Sequence, residues 1–230
     1  MKRFTAIALA ASLSAAVAPL KAQWLGQDYA TYGAPMSNFI QNSAMNNAAM
    51  IAAATPQAKR QAPLRATGTP AIERNAQELA QRFPEDQREK MRKAYIDCMK
   101  GYQKIEAKMG FPSNDLGGAM AAFIVGNYMV FAWTEVTDAE FAAVAEQFRR
   151  TPGWQASMRK ADAAALRTLY EQSAMVGTFM ALAHKSLGPA AQADKKARLR
   201  AVAAQNLKLL LGSDPARLRV GAQGVSFAAP

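Results

Sequence analysis

Apolar residues recur at helical spacing along this chain from residue 69 onward. In the clearest case they are separated by four, three, four, three and four positions: Met91, Tyr95, Cys98, Tyr102, Ile105 and Met109. This spacing places all six on one face of an α-helix, where they can be buried against other helices. Gly110 and Pro112 end the pattern. The sequence therefore predicts an all-α fold.

Capping residues mark the beginnings of the first three predicted helices. Thr69 can cap a helix whose first residue is Pro70, a position that proline favours. Another proline opens the second helix, which carries the apolar face described above. Ser113 or Asn114 is predicted to cap the third helix, over 115–134.

Three further helices complete the predicted bundle. Thr137, followed by Glu140 three residues later, forms a capping-box pattern that opens the fourth. The fifth, over 154–187, is the longest. The sixth ends at Leu211, where Gly212 serves as a stop. Six helices with short connections indicate a compact bundle.

The third predicted helix is apolar on nearly all sides. Leu116–Trp133 is a run of 18 residues without formal charge, long enough to raise the question of a membrane span. Internal glycines and the acidic flanking residues Asp115 and Glu135 favour burial by neighbouring helices instead. Two stripes of small residues predict that it crosses the fifth helix in close contact: Gly118, Ala122 and Gly126, and Ser173, Gly177 and Ala181.

Composition divides the chain into four parts. The N-terminus has the form of a secretory signal peptide, because Lys2 and Arg3 precede an apolar stretch that Pro19 and Ala22 close. The next segment is poor in charge and rich in Ala, Asn and Met, which predicts a disordered arm. The predicted parts are a signal peptide at 1–22, the arm at 23–68, a helical bundle domain at 69–212 and an irregular tail at 213–230, with a short strand at 218–220.

Charge narrows the classes of partner. The chain contains 28 Lys and Arg residues and 17 Asp and Glu residues. Cleavage after Ala22 would remove Lys2, Arg3 and Lys21, leaving 25 basic and 17 acidic residues and a net charge of +8. A basic exported protein meets anionic partners such as lipid headgroups, lipopolysaccharide and cell-wall polymers. The sequence therefore predicts a periplasmic or secreted protein whose partner is an anionic envelope component or another protein.

Basic residues cluster on two of the predicted helices: Arg88, Lys90, Arg92 and Lys93, and Lys195, Lys196, Arg198 and Arg200. Acidic residues lie near both clusters in sequence, which is typical of a solvated helix face. Aromatic residues do not alternate with these cations, and this argues against nucleic-acid binding.

Cysteine and histidine are each present once, as Cys98 and His184. These counts exclude an internal disulfide framework and a zinc site of the Cys/His kind. Cys98 lies on the apolar face of the second helix and is predicted to be a buried thiol, with a cross-link to another chain left open. The spacings of Met36, Met45 and Met50 are irregular for a soft-metal site, so we predict no metal and no cofactor.

Glu171 is the carboxylate that best suggests chemistry. It lies where the fifth helix becomes uncharged, and apolar surroundings raise the pKa of a carboxyl group as a general acid requires. Arg167, four residues earlier, offers an ordinary ion pair along the helix as the alternative. Asn127 and Tyr128, in the central apolar run, are candidates for a ligand contact; Asn127 could equally satisfy itself against a neighbouring helix.

Three short segments form recognisable motifs. They are Pro112-Ser113-Asn114-Asp115-Leu116-Gly117-Gly118-Ala119 with Gly126-Asn127-Tyr128, then Tyr170-Glu171-Gln172-Ser173-Ala174-Met175-Val176-Gly177, and finally the end of a helix running from Leu207 into Asp214-Pro215. Over about residues 65–225 the chain resembles a family of exported bacterial proteins known as a domain of unknown function. That resemblance implies an all-helical exported domain and brings no activity, cofactor or catalytic residue.

Three functional hypotheses follow from the sequence. The leading one is a non-enzymatic binding or envelope-associated domain whose basic surface faces anionic material. The second is an enzyme acting on a cell-wall or other envelope substrate, which requires a pocket that holds Glu171 beside Asn127 or Tyr128. The third is a structural or assembly module whose arm becomes ordered on a partner.

Overall fold

The computed structural model describes residues 62–187 and 193–228. The predicted signal peptide, the predicted arm up to residue 61 and the break at Gly188-Pro189 lie outside the described residues. The described part forms seven α-helices: α1 (Ile72–Ala80), α2 (Glu85–Lys108), α3 (Leu116–Ala132), α4 (Asp138–Arg150), α5 (Pro152–Lys160), α6 (Ala163–Leu187) and α7 (Ala193–Leu211). A single 3-10 turn, Pro215–Arg217, comes after α7. A short hairpin follows, of β1 (Leu218–Gly221) and β2 (Gly224–Phe227). The prediction of an all-α bundle is confirmed.

Helix α3 occupies the centre of the fold and packs against α4, α6 and α7. It is buried except at Tyr128 and its last two residues, as the absence of charge predicted. Helix α6 runs parallel to it, because Arg167 near the start of α6 contacts Asn114 just before α3. At the other end, His184 packs on Trp133 just after α3. Within the described residues, no helix has the length and apolar character that crossing a bilayer requires.

Glycines let α3 and α6 meet backbone to backbone. A Cβ atom added to Gly126 would lie 2.0 Å from the carbonyl oxygen of Gly177. One added to Gly177 would lie 2.2 Å from the carbonyl oxygen of Ala122. The predicted close crossing is therefore confirmed at these residues. Gly118 differs, since its hydrogen atoms face the hydroxyl group of Tyr102 on α2.

Two predicted helix starts were wrong. Helix α1 begins at Ile72 and has no side-chain cap of its own, so Thr69 does not cap it. Helix α3 is capped by Asp115, whose carboxylate accepts a hydrogen bond of 3.0 Å from the N–H of Gly118. Neither Ser113 nor Asn114 has that role. By contrast, the predicted capping box that opens α4 is confirmed, with both reciprocal hydrogen bonds present.

The long helix predicted over 154–187 is two helices, which makes seven where six were expected. Ala161 adopts an extended conformation after α5. The carboxylate of Asp162 then accepts a hydrogen bond of 2.7 Å from the N–H of Ala165. Asp favours helix N-termini for this reason, and the apolar periodicity on both sides of the break concealed it.

The segment predicted as an irregular tail contains regular structure. Its expected short strand is β1, and the missed β2 pairs with it in antiparallel register, with Leu218 opposite Phe227. The side chain of Gln147 on α4 holds the hairpin, because it both donates to the carbonyl oxygen of Val225 at 2.9 Å and accepts from its N–H at 2.7 Å. Such a tertiary contact leaves no local signal in the sequence.

Residues 64–71, here called the strap, lie across the end of the bundle before α1. The N–H of Ala66 donates to the carbonyl oxygen of Asn114, and the N–H of Leu116 donates to that of Leu64, both at 2.9 Å. The last residues assigned to the predicted arm, as far as Gly68, therefore pack against the helical domain.

Candidate functional site

Charged side chains converge at the end of the bundle where α3 and α6 begin. This buried polar network comprises Glu106, Asp115, Arg149, Arg167, Tyr170 and Glu171, all of them buried. Taking an ionised side chain out of water costs several kcal/mol unless partners replace the water. The partners of each group therefore decide whether the network serves the fold or offers chemistry.

Arg167 donates hydrogen bonds from all three of its guanidinium nitrogen atoms, two of them to the strap. Its Nε donates to the carbonyl oxygen of Gly68 at 2.7 Å and one terminal nitrogen to that of Ala66 at 2.6 Å. The other terminal nitrogen donates to Oδ1 of Asn114 at 2.9 Å. The planar guanidinium suits such a set of fixed acceptors. Arg167 thus joins α6, the strap and the loop before α3.

Glu171 supplies the cap that α1 lacks. Its carboxylate accepts hydrogen bonds from the N–H of Ala71, at 3.1 and 3.3 Å, and from Nδ2 of Asn75 at 2.6 Å. Arg167 Nε lies 3.9 Å from Oε1 of the same carboxylate, so the expected ion pair is present, although buried. A carboxylate at a helix N-terminus is stabilised by the unpaired N–H groups there. Glu171 therefore joins α6 to the start of α1, which lies about a hundred residues earlier in the sequence.

Glu106 on α2 accepts from the loop before α3. Its carboxylate receives hydrogen bonds from the N–H groups of Asn114 and Asp115, at 3.1 and 2.9 Å. The hydroxyl of Tyr170 donates to it at 3.1 and 3.2 Å. Burial raises the pKa of Glu106 above its usual range, and these hydrogen bonds partly oppose the rise.

Asp115 and Arg149 form the remaining ion pair of the network. The Arg149 guanidinium donates to the Asp115 carboxylate, and both side chains are almost wholly buried. Arg149 also lies 3.2 Å from Glu146 and stacks over the ring of Phe111, 4.9 Å from its centre. The pair ties α4 to the cap of α3.

Asn127 and Tyr128 lie apart from this network. The amide of Asn127 donates to the carbonyl oxygen of Phe123 at 2.8 Å and accepts from Nδ2 of Asn206 on α7 at 2.9 Å. Asn127 is therefore satisfied against a neighbouring helix. Tyr128 is half-buried. Neither residue shares a hydrogen bond with Glu171, so the three candidate site residues do not form one constellation.

A narrow crevice lies over the glycine crossing of α3 and α6. Its floor is Ala122, Gly126 and Gly177, and its walls include Tyr102 and Phe141. It encloses about 20 Å³, close to what one water molecule needs. Glu171, Asn127 and Tyr128 do not line it. The crevice follows from the missing side chains of the crossing.

The opposite end of the bundle presents cations to solvent. Lys196 Nζ lies 4.4 Å from the ring centre of Trp133, and Arg200 Cζ lies 5.2 Å from that of Phe131. We call Lys195, Lys196 and Arg200, with the half-buried rings of Trp133 and Phe131, the cationic face. These three cations form no ion pair with a carboxylate of the described residues. Helix α7 contains five basic residues and one acidic residue.

His184 lies beneath the cationic face. Its ring packs edge-on against Trp133 with 5.1 Å between ring centres, and Nδ1 lies 3.5 Å from a carboxylate oxygen of Glu135. Burial lowers the pKa of His184 below its usual range, and neighbouring Lys185 and Lys196 act in the same direction. No nucleophile accompanies the histidine among these contacts.

The other predicted basic cluster, on α2, is neutralised by carboxylates. Arg92 pairs with Glu89 at 2.7 Å and also with Glu73, while Lys93 lies 3.6 Å from Glu89. The hydrogen bond from Arg92 is the main reason that the pKa of Glu89 is lowered to about 2. Arg88 donates to the carbonyl oxygen of Phe83 at 3.1 Å. This cluster is a solvated helix face, as its sequence indicated.

Cys98 is completely buried, as predicted, and burial raises the pKa of its thiol. A thiol that stays protonated is a poor nucleophile. In residues 62–187 and 193–228, no group of three or more His, Cys, Asp or Glu side chains could hold a metal ion.

The model of a family of unknown function, DUF6683, matches residues 3–228. The chain belongs to this family. The matched range extends beyond residues 65–225, over which the resemblance was predicted, and includes the predicted arm. No curated protein and no solved structure matches the chain. Two of the three motifs that suggested the resemblance meet in space, because Asn114 and Asp115 of the first contact Glu106, and Tyr170 and Glu171 of the second lie in the same network.

Sequence reasoning missed Glu106, Arg149 and Trp133. Glu106 follows Tyr102 by four positions and so borders the apolar face of α2, a signal that a buried carboxylate was present. Arg149 lies in the last turn of α4, where a basic residue is ordinary. Trp133 adopts a left-handed backbone conformation at the end of α3, with φ 54° and ψ 50°, which nothing in its neighbours indicates.

Proposed function

We propose that this DUF6683 protein is a non-enzymatic binding domain of the cell envelope, which uses its basic surface to bind anionic material. The observation that supports the proposal is a difference between two sets of charged side chains. The acidic and basic side chains of the buried polar network form hydrogen bonds and ion pairs with other parts of the domain. On α7, by contrast, Lys195, Lys196 and Arg200 lie at the surface, half-buried or exposed, without an ion-pair partner among the described carboxylates. Such a surface attracts anions over the Debye length.

The surroundings of Glu171 favour binding over catalysis. A general acid must reach its substrate within hydrogen-bond distance, whereas the Glu171 carboxylate is occupied by Ala71 and Asn75 and is shielded from solvent. The crevice over the glycine crossing does not reach it. An enzyme that uses Glu171 as its acid would have to displace the start of α1.

The N-terminal sequence supports a place in the envelope. Lys2 and Arg3, an apolar stretch and Ala22 form the pattern of a secretory signal. Outside the cytoplasm a basic surface meets anionic lipids, lipopolysaccharide and cell-wall polymers. Periplasmic and secreted locations are both compatible with this pattern.

Retention on envelope fractions tests the proposal. We expect the protein to be retained on lipid vesicles, lipopolysaccharide or cell-wall sacculi that carry negative charge, and to be released as salt is raised. Indifference to all three materials at low salt would overturn the proposed function. Recovery of the protein unprocessed from the cytosol would overturn its envelope location.

A further inference from the structure

The cationic face has the chemistry of a lipid-headgroup site. We propose that it binds the phosphate-bearing headgroups of anionic phospholipids at a membrane surface. This inference rests on the proposed function and names the ligand class and the surface that meets it. The cations, the two rings beneath them and the burial of the apolar side of α7 support it.

On this face, each of two cationic side chains lies over an aromatic ring. Lys196 and Arg200 lie over the faces of Trp133 and Phe131, which restrains the two long side chains. Lys196 is half-buried and Arg200 is exposed. The indole N–H gives the Trp133 ring one polar edge, and such rings favour the headgroup level of a bilayer, where Lys or Arg meets the phosphates. Lys195 adds a third cation one residue before Lys196.

The backbone of Trp133 gives a second reason to assign a role to its ring. A left-handed residue at the end of a helix is usually glycine, and a bulky residue there is strained. Trp133 adopts that conformation, with its N–H bonded to the carbonyl oxygen of Met129. Strain of this kind is concentrated at functional positions. A tryptophan is thus held at the rim of the cationic face, where glycine would end the helix with less strain.

The covered rings favour lipid over nucleic acid. Base stacking needs an open aromatic face, and the cations of Lys196 and Arg200 cover one face of each ring. Helix α7 also cannot insert into a bilayer, because its apolar side chains, among them Leu199, Val202 and Leu207, are buried in the domain. We therefore expect the cations to provide most of the attraction between this face and the bilayer, with the rings of Trp133 and Phe131 making a further contact. Binding should weaken as salt is raised.

Vesicle co-sedimentation of the protein as recovered after expression tests the assignment. The vesicles contain phosphatidylglycerol and phosphatidylcholine in equal parts, with pure phosphatidylcholine for comparison. The test variant combines Lys195→Gln, Lys196→Gln and Arg200→Gln. Its control combines Arg74→Gln, Lys100→Gln and Lys104→Gln, which removes the same charge from α1 and α2. Any contribution of the N-terminal residues is common to both variants and cancels in the comparison.

We expect the wild type and the control to bind the anionic vesicles and not the phosphatidylcholine vesicles. Each Lys or Arg near an anionic surface contributes about fivefold to partitioning, so the test variant should bind about a hundredfold more weakly. Thermal unfolding of both variants verifies that they are folded. A further variant, Trp133→Gly, should bind severalfold more weakly although glycine suits the backbone there.

Several outcomes would overturn this inference. One is equal partitioning of the test variant and the wild type, and another is an equal loss in the control. Binding to phosphatidylcholine as strong as to the mixed vesicles would also overturn it. A wild type that binds sacculi or lipopolysaccharide but not the vesicles would overturn the lipid assignment and leave the proposed function standing. Full binding by Trp133→Gly would overturn the role of the ring.

Discussion

The two ends of the parallel pair α3 and α6 use charge in opposite ways. Where the helices begin, the carboxylates and guanidinium groups of the buried polar network satisfy backbone and side-chain partners from the strap, α1, α2 and α4. Where the helices end, Lys196 and Arg200 lie over aromatic rings at the surface, Lys196 half-buried and Arg200 exposed. Between the two ends lies an apolar crossing that contains Gly126 and Gly177.

This difference separates what holds the fold from what the fold presents. A charge enclosed by the protein and matched to fixed partners stabilises one arrangement of segments, and removing its partner is strongly destabilising. A cation at the surface adds little to stability and remains available to an external anion. Substitutions at the two ends should therefore affect different measurements.

The largest expected effect is at Arg167. Replacing it in Arg167→Met leaves the carbonyl oxygens of Ala66 and Gly68 without their donor and the buried Glu171 carboxylate without its cation. The free energy of unfolding should fall by about 3–5 kcal/mol, measured by urea denaturation. Arg74→Met is the matched control, since Arg74 is exposed and 3.7 Å from Glu78 in an ion pair along α1. That control should change stability by no more than about 0.5 kcal/mol. Similar losses in the two variants would contradict the contrast between the ends.

A smaller loss of stability is expected where α3 and α6 cross. In Gly177→Leu, the new Cβ would meet the backbone of Ala122 rather than a flexible side chain, so α3 and α6 must move apart. We expect a loss of about 1–3 kcal/mol by overpacking, seen as a lower midpoint of thermal unfolding. Gly221→Ala serves as the control because no atom lies near its added Cβ. Unchanged unfolding of Gly177→Leu would disprove the backbone contact.

The two ends should also differ in the sign of their pH dependence. Burial raises the pKa of Glu106 above 4.5. Between 4.5 and the raised pKa, the folded state keeps a proton that the unfolded state has lost, so stability from this group is lost as pH rises through that window. The free energy of unfolding of Glu106→Gln, relative to that of the wild type, should therefore increase with pH across this window, as measured by urea denaturation. Asp115 and Tyr170, which face Glu106, remain in both proteins.

At His184 the sign is reversed. Burial lowers its pKa below 6.5, so between the lowered pKa and 6.5 the unfolded state binds a proton that the folded state does not. Stability is then lost as pH falls below 6.5. The His184→Gln variant should gain relative to wild type as pH falls through this range, with Glu135, Lys185 and Lys196 unchanged. Parallel pH profiles for the two variants would show that the ends do not differ in this way.

The smallest effect on stability is expected on the cationic face. Lys196→Gln removes a cation from the ring of Trp133, an interaction worth about 0.5–1 kcal/mol at exposed sites. Thermal unfolding should therefore change little. A loss comparable with that of Arg167→Met would mean that this face, too, holds the fold together.

Local pattern predicted much of the architecture from sequence. The apolar face of α2, the uncharged run of α3, the capping box before α4 and the close crossing at Gly126 and Gly177 each record a local or periodic requirement, and the structure bears them out. These signals depend on neighbours within a few positions. They can therefore be recognised in the sequence without knowledge of the three-dimensional fold.

Contacts between distant segments could not be predicted in the same way. Helix α1 receives its cap from Glu171, a hundred residues beyond Ala71, so Thr69 was a reasonable but wrong choice. The hairpin depends on Gln147. The cationic face depends on α7 folding back over Trp133 and Phe131, which lie more than sixty residues earlier in the sequence. The sequence showed the cations of this face but not the rings beneath them.

One paired measurement tests the division between the two ends most directly. It determines the free energy of unfolding and the partitioning to phosphatidylglycerol vesicles for Glu171→Gln and for Lys196→Gln. We predict a crossed result: Glu171→Gln is less stable and binds as wild type, whereas Lys196→Gln is as stable as wild type and binds several times more weakly. Weakened binding by Glu171→Gln at conditions where it is folded, or unchanged binding by Lys196→Gln, would contradict the account.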